Sequence, residues 1–291
     1  MHHEISEENL GEYNRRGLIP GPDESESEFL QRAEYCLGLK DRLLAEGHGE
    51  IEGGEYLRSC ADETKKYYDL VPDWIPLMFD DHKLSFWHGG CAWIFRMEEG
   101  SPLAALLQLR KKLRDHVHFF LLNRKEILTH EIAHAGRMAF EEPRYEEILA
   151  YRSSGSRFRA AWGALGQNSR ETGLFVLILF CILGIDLFLL FSDYPFLYLQ
   201  AMPLKIVPLL MVFYAGFRLK RRQNTLDRCL NTLQKTVSDP EMALPTAYRL
   251  TDKEIDTFSR FSPLEIREYV NSGKVDSVRL RLIDVEYLHK K

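Results

Sequence analysis

Two apolar stretches in the second half of the chain dominate its hydropathy pattern. Residues 173–192 contain a single charged side chain, Asp186, and they have the length that an α-helix needs to cross the core of a bilayer. A second stretch follows at about 196–217. Four residues interrupt it: Gln200, Pro203, Lys205 and Pro208. Because the first stretch exceeds the apolar runs usual in soluble cores, the pattern predicts a transmembrane helical hairpin over residues 172–218, with a tight turn at Ser-Asp-Tyr-Pro, 192–195.

Two charged residues inside this hairpin need partners, because an unpaired charge is costly in lipid. Asp186 lies about eight residues before the turn and Lys205 about eleven residues after it. At about 1.5 Å of rise per residue, their depths differ by only about 5 Å, which a lysine side chain can span. We expect an ion pair within the hairpin. The alternative is that either residue bonds to a second copy of the chain, which would make the hairpin a homo-oligomer interface.

Shorter helix and strand patterns fill the remainder of the chain. Residues 1–24 favour an irregular lead, and a period near 3.6 predicts a helix from a cap at Ser25 or Ser27 through Leu44. Apolar and aromatic content predicts three strands: 83–88, 91–97 and 103–109. Further helices are expected near 55–69, 223–236, 252–260 and 263–272, while 278–288 fits either strand or helix.

Composition limits the classes of binding partner and the cell compartments that are expected for this protein. A net charge of −5 with 28% charged residues shows no basic footprint, so no nucleic-acid partner is expected. The five scattered cysteines include no Cys-x-x-Cys pair, which favours reduced thiols in a reducing compartment. The N-terminus is polar and acidic, so no secretory signal peptide is expected.

Basic residues flank the predicted hairpin on both sides and are absent from its turn. Lysine and arginine close to membrane ends are retained in the cytoplasm, so we expect two passes with both flanks cytoplasmic. These flanking residues are Arg152, Arg157, Arg159 and Arg170 before the hairpin, and Arg218, Lys220, Arg221 and Arg222 after it.

The residues with recognisable chemistry form a His-Glu-x-x-His sequence, with His130, Glu131 and His134, in an amphipathic helical pattern. Residues four apart share one face of a helix, so the two histidines can bind one zinc ion. Zinc lowers the pKa of a water that it binds to roughly 7, and Glu131 can take up that proton and pass it to a leaving amine. We predict a catalytic zinc site rather than a surface helix that carries two histidines by accident.

The residues around the motif support a helix. Asn123 is a suitable N-cap, and Gly136 can end the helix in the left-handed conformation. Four other histidines lack carboxylates at motif spacing and are expected to be structural or surface residues: His82, His88, His116 and His118.

A catalytic zinc usually has a third protein ligand and an open fourth position. Pro143 fits the first turn of a second helix, which would carry the neighbouring carboxylates Glu146 and Glu147. Only one of them can face the metal, because adjacent residues on a helix point about 100° apart.

His-Glu-x-x-His followed by a second helix with Glu-x-x-Ala resembles the gluzincin clan of zinc metallopeptidases, in particular its small, minigluzincin-like members. The resemblance covers about residues 80–155. It implies that Glu147 is the third ligand, with Ala150 at the small position between the helices and Glu146 as the competing choice. It also implies that the strand before the motif helix, 103–109, forms the upper rim of the cleft and pairs with an extended substrate.

Two features of the sequence bear on this resemblance. Tyr151 falls where some members place an acidic residue, and no His-x-x-Gly-x-x-His extension follows His134, which argues against a metzincin. The clan usually adds a tyrosine or histidine that stabilises the oxyanion. Tyr145 and Tyr151 are nearby candidates, and the sequence does not choose between them.

We therefore expect an integral membrane zinc metallopeptidase that acts on peptides or proteins, with its catalytic part and C-terminus in the cytoplasm. Zn²⁺ would be bound by His130, His134 and Glu147, with Glu131 as the catalytic base. Alternatives are a zinc-binding membrane scaffold or interaction protein without peptidase activity, and a latent peptidase whose lead or tail fills its own cleft.

The expected fold is α+β with three parts. Residues 1–165 would form the peptidase domain, with an N-terminal extension, a small mixed sheet, the active-site helix and the glutamate helix. Residues 172–218 would form the hairpin, and 219–291 a mostly helical cytoplasmic segment with an accessory or interaction role.

Overall fold

A three-stranded mixed sheet lies before the apolar stretches. The computed structural model describes residues 5–47, 50–52, 54–166, 169–191 and 195–289. The sheet has the order β1-β3-β2, in which β1 (Leu77–Phe79) is parallel to β3 (Ala104–Leu109) and β2 (Gly90–Phe95) is antiparallel to it. A separate hairpin of β4 (His118–Phe119) and β5 (Leu122–Asn123) precedes the motif helix.

Helices make up most of the fold, which is α+β as the sequence predicts. The helices before the motif are α1 (Glu7–Arg15), α2 (Glu26–Leu37), α3 (Leu39–Ala45), α4 (Gly54–Ser59), α5 (Ala61–Tyr68) and α6 (Lys112–Asp115). Those from the motif onward are α7 (Arg124–Gly136), α8 (Pro143–Tyr151), α9 (Arg157–Trp162), α10 (Ser169–Leu190), α11 (Pro195–Ala201), α12 (Ile206–Leu233), α13 (Ala243–Tyr248), α14 (Asp252–Phe258), α15 (Pro263–Gly273) and α16 (Val278–Ile283).

Strands β2 and β3 confirm two of the three strand predictions, whereas residues 83–88 form turns. Side chains from β3 and the residue after it explain the difference. Gln108 donates a hydrogen bond to the carbonyl of His82, and Arg110 donates one to the carbonyl of His88, each at 2.8 Å. Because side chains satisfy these carbonyls, this part of the backbone does not need a strand partner.

Most helix predictions hold. The helix predicted near 55–69 is divided into α4 and α5, and the one predicted at 223–236 is the end of α12. Two further differences lie near the N-terminus. The helix capped by Ser25 is present as α2, but it ends before Gly38, after which α3 begins. Helix α1 forms where the sequence predicts an irregular lead. Its N-terminus is capped by the Ser6 hydroxyl, which accepts a hydrogen bond from the Asn9 N–H at 3.2 Å, and Leu10 is buried. Tertiary packing therefore stabilises a helix whose sequence is mostly polar.

Among the described residues, two helices are long and apolar enough to cross a membrane. One is Glu171–Leu190 within α10, and the other is Phe196–Leu233, which joins α11, a short 3-10 segment and α12. Across the most apolar 18 residues of each helix, almost no residue is buried inside the protein. Asp186 and Lys205 form the expected ion pair, with 3.1 Å between Oδ2 and Nζ. Residues 192–194 of the predicted turn lie outside the described residues.

The last long helix continues beyond the apolar stretch and packs onto the rest of the protein. From Leu219 to Leu233, α12 buries one side of its surface against neighbouring helices, which include α8, α13 and α14. The two apolar helices, with the segment that joins them, are called the apolar hairpin below. One continuous helix therefore links the apolar hairpin to the folded body that contains the motif helix.

Candidate metal centre

The motif helix α7 begins as predicted and ends differently. The Asn123 side chain caps it by accepting a hydrogen bond from the Lys125 N–H at 2.9 Å. Gly136 is its last residue but does not adopt the left-handed conformation. A glycine is needed there for close packing instead, since a Cβ at this position would lie 2.4 Å from the hydroxyl of Tyr248.

Helices α7 and α8 bring the three predicted zinc ligands together. One ligand atom from each of His130, His134 and Glu147 lies within 4.8 Å of the others. The two histidine Nε2 atoms are 3.2 Å apart, and each lies 3.5 Å from a carboxylate oxygen of Glu147. Two atoms bound to one zinc at about 2.0–2.1 Å, with a tetrahedral angle between them, are separated by about 3.3 Å. The three side chains therefore form a group that could hold a metal ion of this size.

Glu146 contacts the same group from behind. Its Oε1 lies 2.6 Å from Nδ1 of His134, on the side of the ring opposite to the Nε2 that faces Glu147. Such a hydrogen bond fixes the orientation of a metal-binding imidazole. The two adjacent glutamates are thus separated in space: Glu147 lies among the ligand atoms, and Glu146 supports His134.

The two histidines differ in charge. Burial lowers the pKa of His130 to about 3, so this imidazole is neutral and offers the lone pair of a ring nitrogen. Burial also opposes the charged form of His134, but the hydrogen bond to Glu146 and the nearby carboxylates of Glu147 and Glu131 raise its pKa to about 9. A proton is therefore held at His134, and a divalent cation bound by this group would displace it.

Glu131 is buried beside the ligands. Burial raises its pKa to about 7, with His134 and a hydrogen bond from the backbone of Ala92 opposing the increase and Glu147 adding to it. A carboxyl group with a pKa close to neutrality can both accept and return a proton at pH 7.

A cleft of about 690 Å³ opens over the group, and strand β2 lines it from Gly90 to Trp93. The predicted strand 103–109 is present as β3, but its assignment to the rim of the cleft is wrong. Strand β3 pairs with β1 on one side and with β2 on the other, so it has no free edge. Among the residues that the structure describes, β2 has no second strand partner, and it therefore occupies the rim.

The two candidate tyrosines lie in different environments. Tyr145 is buried, and its hydroxyl donates a hydrogen bond to Asp256 on α14. Tyr151 lines the cleft, with its ring centroid 4.5 Å from that of His130. Of these two residues, only Tyr151 can reach a molecule in the cleft.

The C-terminal segment holds both helices of the site. The Asp252 carboxylate caps α8 by accepting hydrogen bonds from the N–H groups of Arg144 at 2.9 Å and Tyr145 at 3.3 Å. The Tyr248 hydroxyl donates a hydrogen bond to the carbonyl of Ala133 in α7 at 2.6 Å. No local sequence signal indicates these contacts, because they join residues more than one hundred positions apart.

Sequence reasoning also missed part of the cleft wall. His88, expected to be structural or on the surface, lines the cleft together with Trp87, whose indole N–H donates a hydrogen bond to it at 3.2 Å. Neither residue has a motif spacing. The available signal is their position just before the Gly89-Gly90 pair that leads into β2.

Comparison of the chain with protein-family models, curated proteins and solved structures finds no match. The function is therefore inferred from the site and from the helices around it.

Proposed function

We propose that this protein is a zinc-dependent metallopeptidase of the gluzincin type, anchored in a membrane by its apolar hairpin. The observation that carries the proposal is the group of His130, His134 and Glu147, whose ligand atoms have the spacing of a tetrahedral zinc site. Two histidines and one glutamate are also the ligands of known catalytic zinc sites that keep a position open. The buried Glu131 carboxyl beside them supplies the base that such a site requires.

Zinc bound by these ligands would polarise the scissile carbonyl and acidify a water. Glu131, buried beside the ligands, would take a proton from the attacking water and pass it to the leaving amine. Tyr151 donates a hydrogen bond to the developing oxyanion, a contact that is worth roughly 10²–10³-fold in rate in other hydrolases. Glu146 keeps the His134 ring in place through its bond to Nδ1.

The free edge of β2 is suited to bind an extended peptide. An exposed strand edge supplies backbone hydrogen bonds that do not depend on the peptide sequence. Trp87 and Trp93 lie in the cleft wall, so they favour a peptide with apolar or aromatic side chains.

The length and exposure of the two apolar helices support insertion into a bilayer. Helix α10 has 22 residues and is therefore about 33 Å long, which matches the hydrocarbon core. The basic residues that flank the hairpin support a cytoplasmic position for both flanks, because lysine and arginine at membrane ends are retained there.

Metal analysis of the purified protein beside a Glu131→Gln variant tests the enzymatic proposal. The wild type should bind one zinc per chain and cleave peptides, whereas Glu131→Gln should keep the zinc and lose turnover. His130→Ala should lose most of the zinc as well as the activity. Normal peptidase activity of Glu131→Gln would show that the assigned mechanism is wrong.

Two alternative roles have less support. A structural zinc is normally closed by four protein ligands, and a scaffold protein has no use for a buried carboxyl beside three of them. A latent form in which the lead or the tail fills the cleft is also disfavoured. Among the described residues, those that line the cleft all lie between Lys83 and Gly166.

A further inference from the structure

The cleft lies close to the level at which the apolar hairpin joins the rest of the protein. The series of large exposed apolar side chains on α12 ends at Phe217. The next residue, Arg218, pairs with Glu171 near the start of α10, with 2.8 Å between Nη1 and Oε1. Trp162 packs against α12 at this level, since a Cβ on Gly216 would lie 3.3 Å from its ring. Trp162 therefore marks the membrane boundary of the hairpin, where tryptophan is enriched.

Only a few contacts separate this boundary from the metal group. Gly163, which follows Trp162, packs so closely on Tyr151 that a Cβ there would lie 2.4 Å from the tyrosine ring. The ring of Tyr151 in turn packs on that of His130, at 4.5 Å between centroids. Gly163 and Gly166 both line the cleft, and α10 begins three residues after Gly166. One wall of the cleft is therefore the segment that enters the hairpin.

The turn between β4 and β5 projects a pair of large apolar side chains into solvent. Phe120 is 73% exposed and Leu121 is 87% exposed. Two-residue hairpin turns normally carry Asn-Gly, because their backbone needs positive φ. Phe120 adopts a φ of 50°, which costs stability for a bulky residue. The tip of this turn therefore carries two apolar residues where Asn-Gly is usual. Positions that break a local sequence rule in this way are expected at functional surfaces.

Helix α9 connects this tip to the membrane boundary. Arg159 donates a hydrogen bond to the carbonyl of Leu121 at 3.4 Å. Phe158, which is 72% exposed, lies four residues before Trp162 and so on the same face of the helix. We use the term apolar rim for Phe120, Leu121, Phe158 and Trp162.

We propose that the apolar rim inserts into the interfacial layer of the bilayer that the hairpin crosses, so that the cleft opens at the membrane surface. The cleft would then receive the membrane-proximal segments of membrane-embedded proteins; this part rests on the proposed peptidase function. A bilayer is the occupant that the structure favours, because the rim is continuous with the apolar hairpin through Trp162. Arg157, beside Phe158, has the charge to meet lipid phosphates.

The depth of a fluorescent label in the bilayer shows whether the apolar rim is inserted, and this measurement does not depend on enzymatic activity. A nitrobenzoxadiazole label would be placed at Leu121→Cys, with Val275→Cys as a matched control that is 85% exposed. The control follows α15, and Arg267 of α15 donates a hydrogen bond to the carbonyl of Thr236, just beyond the end of α12. Leu233, the last residue of α12, lies about 23 Å along the helix from Arg218.

Labelling needs a background in which Cys91 and Cys181 are replaced by alanine. The other three cysteines are buried and stay unlabelled, because burial raises their thiol pKa to about 12: Cys36, Cys60 and Cys229.

The labelled proteins would be reconstituted in vesicles of phosphatidylcholine and phosphatidylglycerol that contain a nitroxide lipid. Emission from the label at position 121 should shift to the blue and be quenched at least about twofold, while the label at 275 should be quenched only by aqueous iodide. Quenching of both labels by iodide alone would overturn the proposal. Protection of position 121 from both quenchers would also overturn it, since it would place a protein on the rim.

A second experiment tests the substrate class. Leu121→Asp should cleave a soluble peptide in detergent with unchanged kcat/KM, but should cleave a reconstituted membrane protein at a membrane-proximal bond at least tenfold more slowly. Val275→Asp should match the wild type on both substrates. Phe158→Asp should repeat the result of Leu121→Asp, which separates loss of the rim from damage to one turn.

The outcomes distinguish this inference from the proposed function. Equal rates of Leu121→Asp and wild type on the membrane substrate would overturn the substrate class while leaving the peptidase intact. If the wild type cleaves neither substrate, the peptidase proposal and the substrate class fail together, and the label measurement still decides whether the rim enters the bilayer.

Discussion

Alanine substitutions at Glu146 and Glu147 separate a metal ligand from the residue that orients one. Both side chains lie on α8, and alanine preserves helix propensity at either position. Glu147→Ala removes the oxygens that lie 3.5 Å from the two histidine nitrogens. Glu146→Ala removes only the hydrogen bond to His134 Nδ1. We expect both variants to fold and both to bind zinc more weakly, but to different extents.

The geometry predicts the size of each effect. Loss of a carboxylate that orients a ligating histidine usually costs about 10- to 100-fold in metal affinity, or about 1.4–2.8 kcal/mol. A structural zinc with four ligands has an apparent binding free energy of about 10–16 kcal/mol, so one ligand accounts for roughly 2.5–4 kcal/mol. Glu147→Ala should therefore weaken zinc binding by about 10²–10³-fold, which is about tenfold more than Glu146→Ala.

Competition with a chromophoric chelator at constant pH measures both affinities in detergent. Glu268→Ala, on the exposed surface of α15, is a matched control that should bind zinc like the wild type. Circular dichroism checks that the variants keep their helix content. Equal affinities of the two variants, or a larger loss for Glu146→Ala, would refute the assignment and shift the ligand by one residue along α8.

Three further predictions concern turnover, packing and orientation. Tyr151→Phe should lower kcat by about 10²-fold with zinc content unchanged; an unchanged kcat in steady-state assays would remove its oxyanion role. Gly136→Ala should destabilise the protein by about 1–3 kcal/mol in urea titrations, because the new methyl overpacks α7, while Gly155→Ala, at an open position, should have little effect; similar midpoints would contradict this. A cysteine near Tyr194 should react with a membrane-impermeant thiol reagent in intact cells, and one near Glu50 only after lysis; the reverse pattern would put the cleft outside the cytoplasm.

The correct sequence predictions depend on local signals. The cap at Asn123 and the four-residue spacing of His130 and His134 are properties of one helix, and the structure reproduces them. The choice between Glu146 and Glu147 depends on the rotation of α8 about its axis, which register suggests but only packing against α7 determines.

The errors concern contacts between residues that are far apart in the chain. The apolar run 103–109 is a strand as predicted, but its central position depends on which strands pair with it, and no property of the run itself encodes that order. The hydrogen bonds of Arg249 also join residues that are far apart in the chain. This fully buried side chain donates hydrogen bonds to Asn14 at 2.7 Å and to the carbonyl of Tyr68 at 2.8 Å, and so joins both ends of the chain.

These long-range contacts also bear on membrane topology. The segments before and after the apolar hairpin are hydrogen-bonded to each other, because Asp252 caps α8 and Arg249 bonds to residues of α1 and α5. The hairpin is therefore an insertion, in sequence, into parts of the chain that pack together in space. If it enters a bilayer, both of its ends must emerge on the same side, so the number of passes is even. This conclusion follows from contacts outside the hairpin and does not depend on the distribution of basic residues. It agrees with the two passes that the hydropathy pattern predicts.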